Sequence, residues 1–279
     1  MKKTIISSNG SSLLINLSEI WDNRYLTYLF FKRNITVYYK QTILGPLWFI
    51  IQPLFTTIIF TVVFSKIAKL DTANMPPELF YMSGIIIWSF FSECTNQISN
   101  TFIANAGIFN KIYFPRLILP ISQILTNSFK IFIQVLVLFV MIIINVSFET
   151  LINLVHLKSI ISIAFYTFLT SVLSLGLGLI LASITIKYKD LKHLIGFGLR
   201  LLMYVSPIIY PLDLVPDNLK TIIILNPMTA PVQGFRSFID SSQAPSNEIL
   251  IISILFSTLL FIAGSIMFSR VEKKFVDTI

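Results

Sequence analysis

A single cysteine, Cys94, excludes an internal disulfide framework and any thiolate metal centre. The two histidines, His156 and His193, stand too far apart in sequence to read as a metal pair. None of the ten glycines is followed by lysine, so the Gly-x-x-x-x-Gly-Lys-Ser/Thr loop that cradles nucleotide phosphates is missing. No Ser-His-Asp constellation and no zinc-ligand spacing occur either. No catalytic residue, metal or cofactor is therefore expected in this chain, and energy for any work it does must come from elsewhere. Charge is scarce too. Only 12% of residues are charged, about half the share usual in a soluble domain.

What fills the gap is apolar. Hydrophobic residues make up 55% of the 279, more than one core can hide, so lipid must solvate much of the surface. The +8 net charge is spread in short clusters between apolar runs, which points to membrane topology and not to nucleic acid. Lys2 and Lys3 are followed by the polar stretch from Ser7 to Ser12, so no cleavable signal peptide is expected.

The fold expected is all-α and integral to the membrane. Six runs have roughly the 20 apolar residues a bilayer demands: Gly45–Ile67, Phe80–Phe102, Leu117–Val146, Ser159–Ile184, Leu194–Leu212 and Ile249–Phe268. With both ends inside, fourteen of the 21 basic residues fall on the inner side and five on the outer, Arg236 among the latter. That asymmetry supports N-in, C-in. Residues 1–44 form a cytoplasmic segment in which Trp21 to Lys40 mixes aromatics with Arg24, Lys32, Arg33 and Lys40, the pattern of an amphipathic helix lying in the inner interface. Residues 45–268 form the transmembrane domain and 269–279 a cytoplasmic tail. Between the fifth and sixth runs, Thr221 to Leu225 and Asn226-Pro227-Met228 are too short and too proline-broken to cross. They read as a re-entrant or interfacial hairpin, with a plain outer loop as the other possibility.

Charge inside apolar runs is expensive, about 2.5–3.5 kcal/mol for a carboxylate at the bilayer centre. Ser89, Glu93, Asn96 and Asn100 recur at helical period in the second run, and Gln123, Asn127, Lys130 and Gln134 do so in the third. The two helices are sequence neighbours, so Lys130 is expected near Glu93 or on the same aqueous space. Arg200 is a third intramembrane charge, placed to meet an anionic group, to pair with Glu93 or to snorkel inward. Ser174, Gly178 and Ala182 form a small-xxx-small face for close helix packing.

Several short stretches resemble a known family. They are Tyr39-Lys40-Gln41-Thr42-Ile43-Leu44-Gly45-Pro46-Leu47-Trp48 with Gln52-Pro53, and Gly84 with Trp88-Ser89-Phe90-Phe91-Ser92-Glu93. Further on come Lys111-Ile112-Tyr113-Phe114-Pro115-Arg116, Tyr188-Lys189-Asp190-Leu191-Lys192-His193 and Ser206-Pro207-Ile208-Ile209-Tyr210-Pro211. Asn226-Pro227-Met228 and Gly234-Phe235-Arg236 complete the series. In this order and spacing they resemble the ABC-2 type permeases that export bacterial polysaccharides. Tyr38 departs from the basic residue common in relatives, and Lys189 from their arginine.

The resemblance implies a homodimer in the bacterial inner membrane, in contact with membrane lipids. It also implies two separately encoded ABC ATPase subunits that bind ATP and magnesium, and a lipid-linked polysaccharide such as lipopolysaccharide O-antigen as substrate. The coupling segment maps onto Asn105, Ile108, Phe109, Lys111, Ile112, Tyr113, Phe114 and Arg116. Channel-lining aromatics map onto Trp48, Phe55, Trp88, Phe91, Tyr204 and Tyr210, which core or belt packing also explains. Glu93, Asn96, Asn100, Lys130 and Arg200 add the polar part of the path. Pro211, Asn226, Pro227 and Met228 are the expected external gate. Teichoic acid or capsule export, drug or lipid export by a related permease, and a non-transporting scaffold are the competing readings.

Overall fold

The computed structural model describes residues 17–40, 43–73, 75–109, 114–145, 157–188 and 190–276. Among them there is no strand. The helices are α1 (Leu17–Asp22), α2 (Arg24–Lys40), α3 (Trp48–Phe60), α4 (Pro77–Ser99), α5 (Thr101–Ala104) and α6 (Ala106–Phe109). They continue with α7 (Ile118–Asn145), α8 (Leu157–Thr185), α9 (Leu191–Val205), α10 (Asp217–Leu225), α11 (Thr229–Arg236) and α12 (Asn247–Val276). A 3-10 turn at Gly45–Leu47 leads into α3, which is followed directly by a π-helix over Thr61–Ile67.

Among the described residues, four stretches are helical, long and apolar enough to cross a bilayer: Gly45–Ile67, Ile118–Asn145, Ile160–Thr185 and Asn247–Glu272. The other two expected spans differ. The second, α4, has 23 residues, but its Ser, Thr, Asn and Glu side chains make it less apolar than its neighbours. It is instead the central helix, packed by α3, α7, α8, α9 and α11. Its apolar face, with Phe90, Phe91, Cys94 and Ile98, is buried, and so are Ser83, Thr95 and Ser99 on the polar side. The fifth, α9, has only 15 residues, about 22 Å of helix against a hydrocarbon core of about 30 Å. It stops at Val205 because Pro207 follows, and the residue before a proline is pushed out of the helical region. Ser206 is extended, with φ −90° and ψ 145°. At the chain's end α12 runs on to Val276, past the expected limit of its span at Phe268.

The basic aromatic segment folds as α1 and α2, and α2 packs against the helical body. Thr27, Phe30, Asn34 and Tyr38 recur every three or four residues on one side of α2, which packs along the first turns of α7. Asn34 Nδ2 donates to Thr126 Oγ1 at 3.4 Å. Phe30 joins a small second core with Phe114, Ile118 and Leu119. Trp21, Tyr25 and Tyr28 remain exposed.

Small residues bring α8 against two neighbours. On one side Gly178 meets Ile98 of α4, and Ser174 and Ala182 are fully buried, which is the close face expected of their spacing. On the other, Gly176 meets α12 backbone to backbone. A methyl group there would lie 2.5 Å from the backbone nitrogen of Phe261, and one at Gly264 would overlap the carbonyl of Gly176. Helical backbone cannot yield as a flexible side chain can. Gly176→Val is therefore expected to destabilise by about 1–3 kcal/mol or more through overpacking, read as a lower Tm in detergent. Gly196→Ala, with no atom near its added methyl, should melt at or slightly above the wild-type temperature. Equal melting of Gly176→Val and wild type would show that the two helices are free to separate.

Candidate functional site

A cavity of about 530 Å³ lies among α2, α3, α4, α7 and α9. Each helix offers one face to it. From α4 come Ile85, Ser89, Glu93 and Gln97, four residues apart. From α3 come Phe49, Gln52, Pro53 and Thr56, and from α7 Lys130 and Gln134. Trp48, Trp88, Tyr38 and Met203 complete the wall.

Four hydrogen bonds between helices set its shape. Asn127 Nδ2 donates to Gln97 Oε1 at 2.8 Å. Lys130 Nζ donates to Glu93 Oε2 at 2.7 Å and to Tyr38 Oη at 2.9 Å. Gln134 Nε2 donates to the carbonyl of Phe49 at 3.1 Å. The last link follows from a proline. Pro53 stands four residues after Phe49 and has no N–H, so the helix leaves the Phe49 carbonyl without its partner, and Gln134 supplies it.

The ion pair is lopsided. Glu93 keeps 37% of its side chain exposed, towards the cavity, whereas Lys130 keeps 10%. The ammonium is held by more than the carboxylate, since it lies 4.5 Å from the Tyr38 ring centre and 5.2 Å from that of Phe49. The wall is thus neutral overall, with aromatic faces beside amides and hydroxyls. Such a surface suits hydroxyl-rich rings, whose C–H groups lie on aromatic faces and whose hydroxyls pair with amides.

Of the channel residues expected from sequence, Trp48, Trp88, Glu93 and Lys130 line this cavity. Phe91 does not, because it turns into the core beside Trp88 and is 1% exposed. Phe55 points away from the face made by Gln52, Pro53 and Thr56 and is exposed, as are Tyr204 and Arg200 on α9. Asn96 is exposed and bonded to Asn100, whose Nδ2 donates to the Asn96 carbonyl. Tyr210 Oη donates to the carbonyl of Tyr204. Tyr38, Phe49, Gln52, Thr56 and Gln97 were not singled out from sequence as part of the path. The four-residue steps Gln52–Thr56 and Glu93–Gln97 were the available signal.

The described residues of the expected coupling segment are partly buried. Lys111, Ile112 and Tyr113 lie outside the described residues. Asn105 is buried and donates to the Thr101 carbonyl, and Phe114 stacks on Phe109 with ring centres 5.7 Å apart. Arg116 is buried as well. Its Nη1 donates to the carbonyl of Glu272 on α12, its backbone N–H donates to Glu272 Oε1, both at 3.1 Å, and its guanidinium covers the Phe109 ring. Ile108 and Phe109 stay half-exposed.

The proline-broken hairpin is likewise pinned to the body. Asn226 Nδ2 donates to Ser206 Oγ at 2.9 Å, and its Oδ1 accepts from the Met228 N–H. Ser253 Oγ of α12 donates to the Pro227 carbonyl at 2.6 Å. Pro211 and Met228 are buried. Arg236, counted from sequence as an outer charge, is 1% exposed. It donates at 2.6 Å to each of the carbonyls of Pro207 and Ile208, which the break after α9 leaves without helical partners, and it lies over the Phe80 ring.

Comparison with known proteins agrees with this architecture. The ABC-2 type transporter family matches residues 25–239, from α2 through the hairpin. An O-antigen export system permease protein RfbA of Klebsiella pneumoniae is 26% identical over 269 residues, covering 94% of this chain and 96% of that protein. The protein of the same name from Myxococcus xanthus is 24% identical over 94% of this chain and 98% of its own. The polysialic acid transport protein KpsM of Escherichia coli is 25% identical over 74% of this chain and 78% of its own. With residues 25–239, most of its length, matched, the chain belongs to the ABC-2 type transporter family.

Proposed function

We propose that this chain is the membrane-spanning permease subunit of an ABC exporter. It carries a lipid-linked polysaccharide, such as lipopolysaccharide O-antigen, outward across the bacterial inner membrane. The observation that carries the reading is the end-to-end likeness to permeases named for O-antigen export. The likeness to the polysialic acid transporter covers less of both chains, and capsule export is the second reading on that account.

The working unit is a homodimer with two ATPase subunits, which bind ATP and magnesium. No glycine-lysine pair for a phosphate loop occurs in this sequence. Each permease has six crossings with both ends inside, α4 and α9 being shielded from lipid by their neighbours and, for α9, by the second copy. The polar, aromatic cavity around Glu93 and Lys130 forms part of the sugar path. The half-exposed Ile108 and Phe109, with Lys111 to Tyr113, face the ATPase, and the hairpin closes the outer side.

Depletion of the chain in its host tests this. Carrier-lipid-linked glycan should accumulate on the cytoplasmic side while the surface polymer is lost, and the sugars released identify the substrate. Intact surface glycan without accumulation would move the assignment to small-molecule or lipid export.

A further inference from the structure

A second concave surface lies apart from the sugar-path cavity and shares none of its lining residues. Between α7 and α8 runs an apolar groove of about 530 Å³, walled by Ile124, Ile131 and Val135 on one side and Ile163, Phe168 and Leu175 on the other. It follows α7 from Ile121 to Val135, about 21 Å of helix, more than half of a hydrocarbon core of about 30 Å. Its lining is almost wholly apolar, with Ser128, Thr167 and Ser171 the only hydroxyl side chains on it. Ser171 donates to the Thr167 carbonyl of its own helix, so the groove offers little to a polar ligand.

Ile121 also lines a neighbouring pocket, of about 430 Å³, between α7 and the α1–α2 segment. That pocket is walled by Trp21, Arg24, Tyr28 and Phe31. Arg24 is exposed, and among the described residues no carboxylate lies within ion-pair distance of it. Its one hydrogen bond there goes to the Trp21 carbonyl at 3.2 Å, beside the Trp21 ring. An acyl-length apolar slot thus lies next to an unneutralised guanidinium flanked by Trp and Tyr, the residues that favour the headgroup level. Lys32 and Arg33 are exposed further along the same helix and disfavour the ammonium of a zwitterionic headgroup.

We propose that groove and pocket together bind one anionic glycerophospholipid of the inner leaflet, with an acyl chain between α7 and α8 and the phosphate at Arg24. The lipid would fasten α2 to the transmembrane body from outside, where Asn34 and Tyr38 fasten it from within. The proposal does not depend on which substrate the protein exports.

Native mass spectrometry of the full chain, released from micelles holding equal amounts of phosphatidylglycerol and phosphatidylcholine with matched chains, tests it. The wild type should retain phosphatidylglycerol several-fold over phosphatidylcholine. Arg24→Gln should bring that ratio towards one. Ala164→Trp, which fills the groove from an exposed position on α8, should reduce retention of both lipids. Lys187→Gln, removing an exposed charge elsewhere, should leave the ratio unchanged. Equal retention of the two lipids by the wild type would overturn the proposal. So would wild-type retention by both Arg24→Gln and Ala164→Trp, or a loss of preference in Lys187→Gln as large as in Arg24→Gln.

Discussion

Arg236→Leu is expected to melt several degrees below the wild type in detergent, among the largest losses for a single substitution in this chain. The guanidinium is 1% exposed and holds the carbonyls of Pro207 and Ile208 at 2.6 Å each. Leucine leaves both acceptors buried and unpaired, at about 1–3 kcal/mol apiece. It also removes the cost of burying a charge, which pulls the other way. The first effect wins because the carbonyls belong to backbone that no helix can pair, and because Phe80 already stabilises the cation, its ring centre 3.5 Å from Cζ. A net loss of about 2–4 kcal/mol follows. Arg236→Lys should recover only part of it, since a point ammonium cannot span two carbonyls and stack on a ring as a planar fork does. Thermal unfolding of the three proteins side by side decides. A leucine variant as stable as wild type would mean that Pro207 and Ile208 find other donors.

The second large effect concerns Glu93 and Lys130. Removing one partner of a fully buried pair costs about 3–5 kcal/mol, but this pair is only partly dry. Glu93→Leu strands the ammonium, which is 10% exposed, whereas Lys130→Met strands a carboxylate that is 37% exposed to the cavity. Water can solvate the second far better. Glu93→Leu is thus expected to cost about 2–3 kcal/mol and Lys130→Met about 1–2, both reduced from the buried value by that exposure. The double variant should be more stable than the sum of the single losses predicts, because no charge is left behind. Melting temperatures across the four proteins measure the coupling. Simple additivity would show that the two side chains do not interact in solution.

Much of this architecture is legible in the sequence. Long apolar runs located α3, α7, α8 and α12, since length and hydropathy are local properties. The polar stripes on the second and third runs brought Glu93 and Lys130 together, because antiparallel neighbours with facing charges have few other solutions. Small residues at four-residue spacing marked the face of α8 that meets Ile98. What escaped notice was set by partners distant in the chain. Arg236 looked like an outer charge, as nothing near it in sequence announces the carbonyls of Pro207 and Ile208. Tyr38 was noted only as a departure from the family pattern, and its bond to Lys130 crosses 92 residues. Arg116 carries a docking role through the resemblance alone, and its guanidinium is held by the Glu272 carbonyl, 156 residues away. One signal was present and unread. A proline within a helix orphans the carbonyl four residues before it, and Gln134 is where the Phe49 carbonyl finds its donor.

The two ends of α12 are gripped by different parts of the protein. Near its start Ser253 holds the hairpin at Pro227, and near its far end Glu272 holds Arg116. Between those grips lie about 28 Å of helix, bearing at Gly264 directly on the backbone of Gly176. An α-helix neither shortens nor stretches appreciably along its axis. The arrangement is a push-rod with a bearing at mid-length. An axial movement of the Arg116 segment would reach the hairpin at the other end of α12 without passing through the cavity.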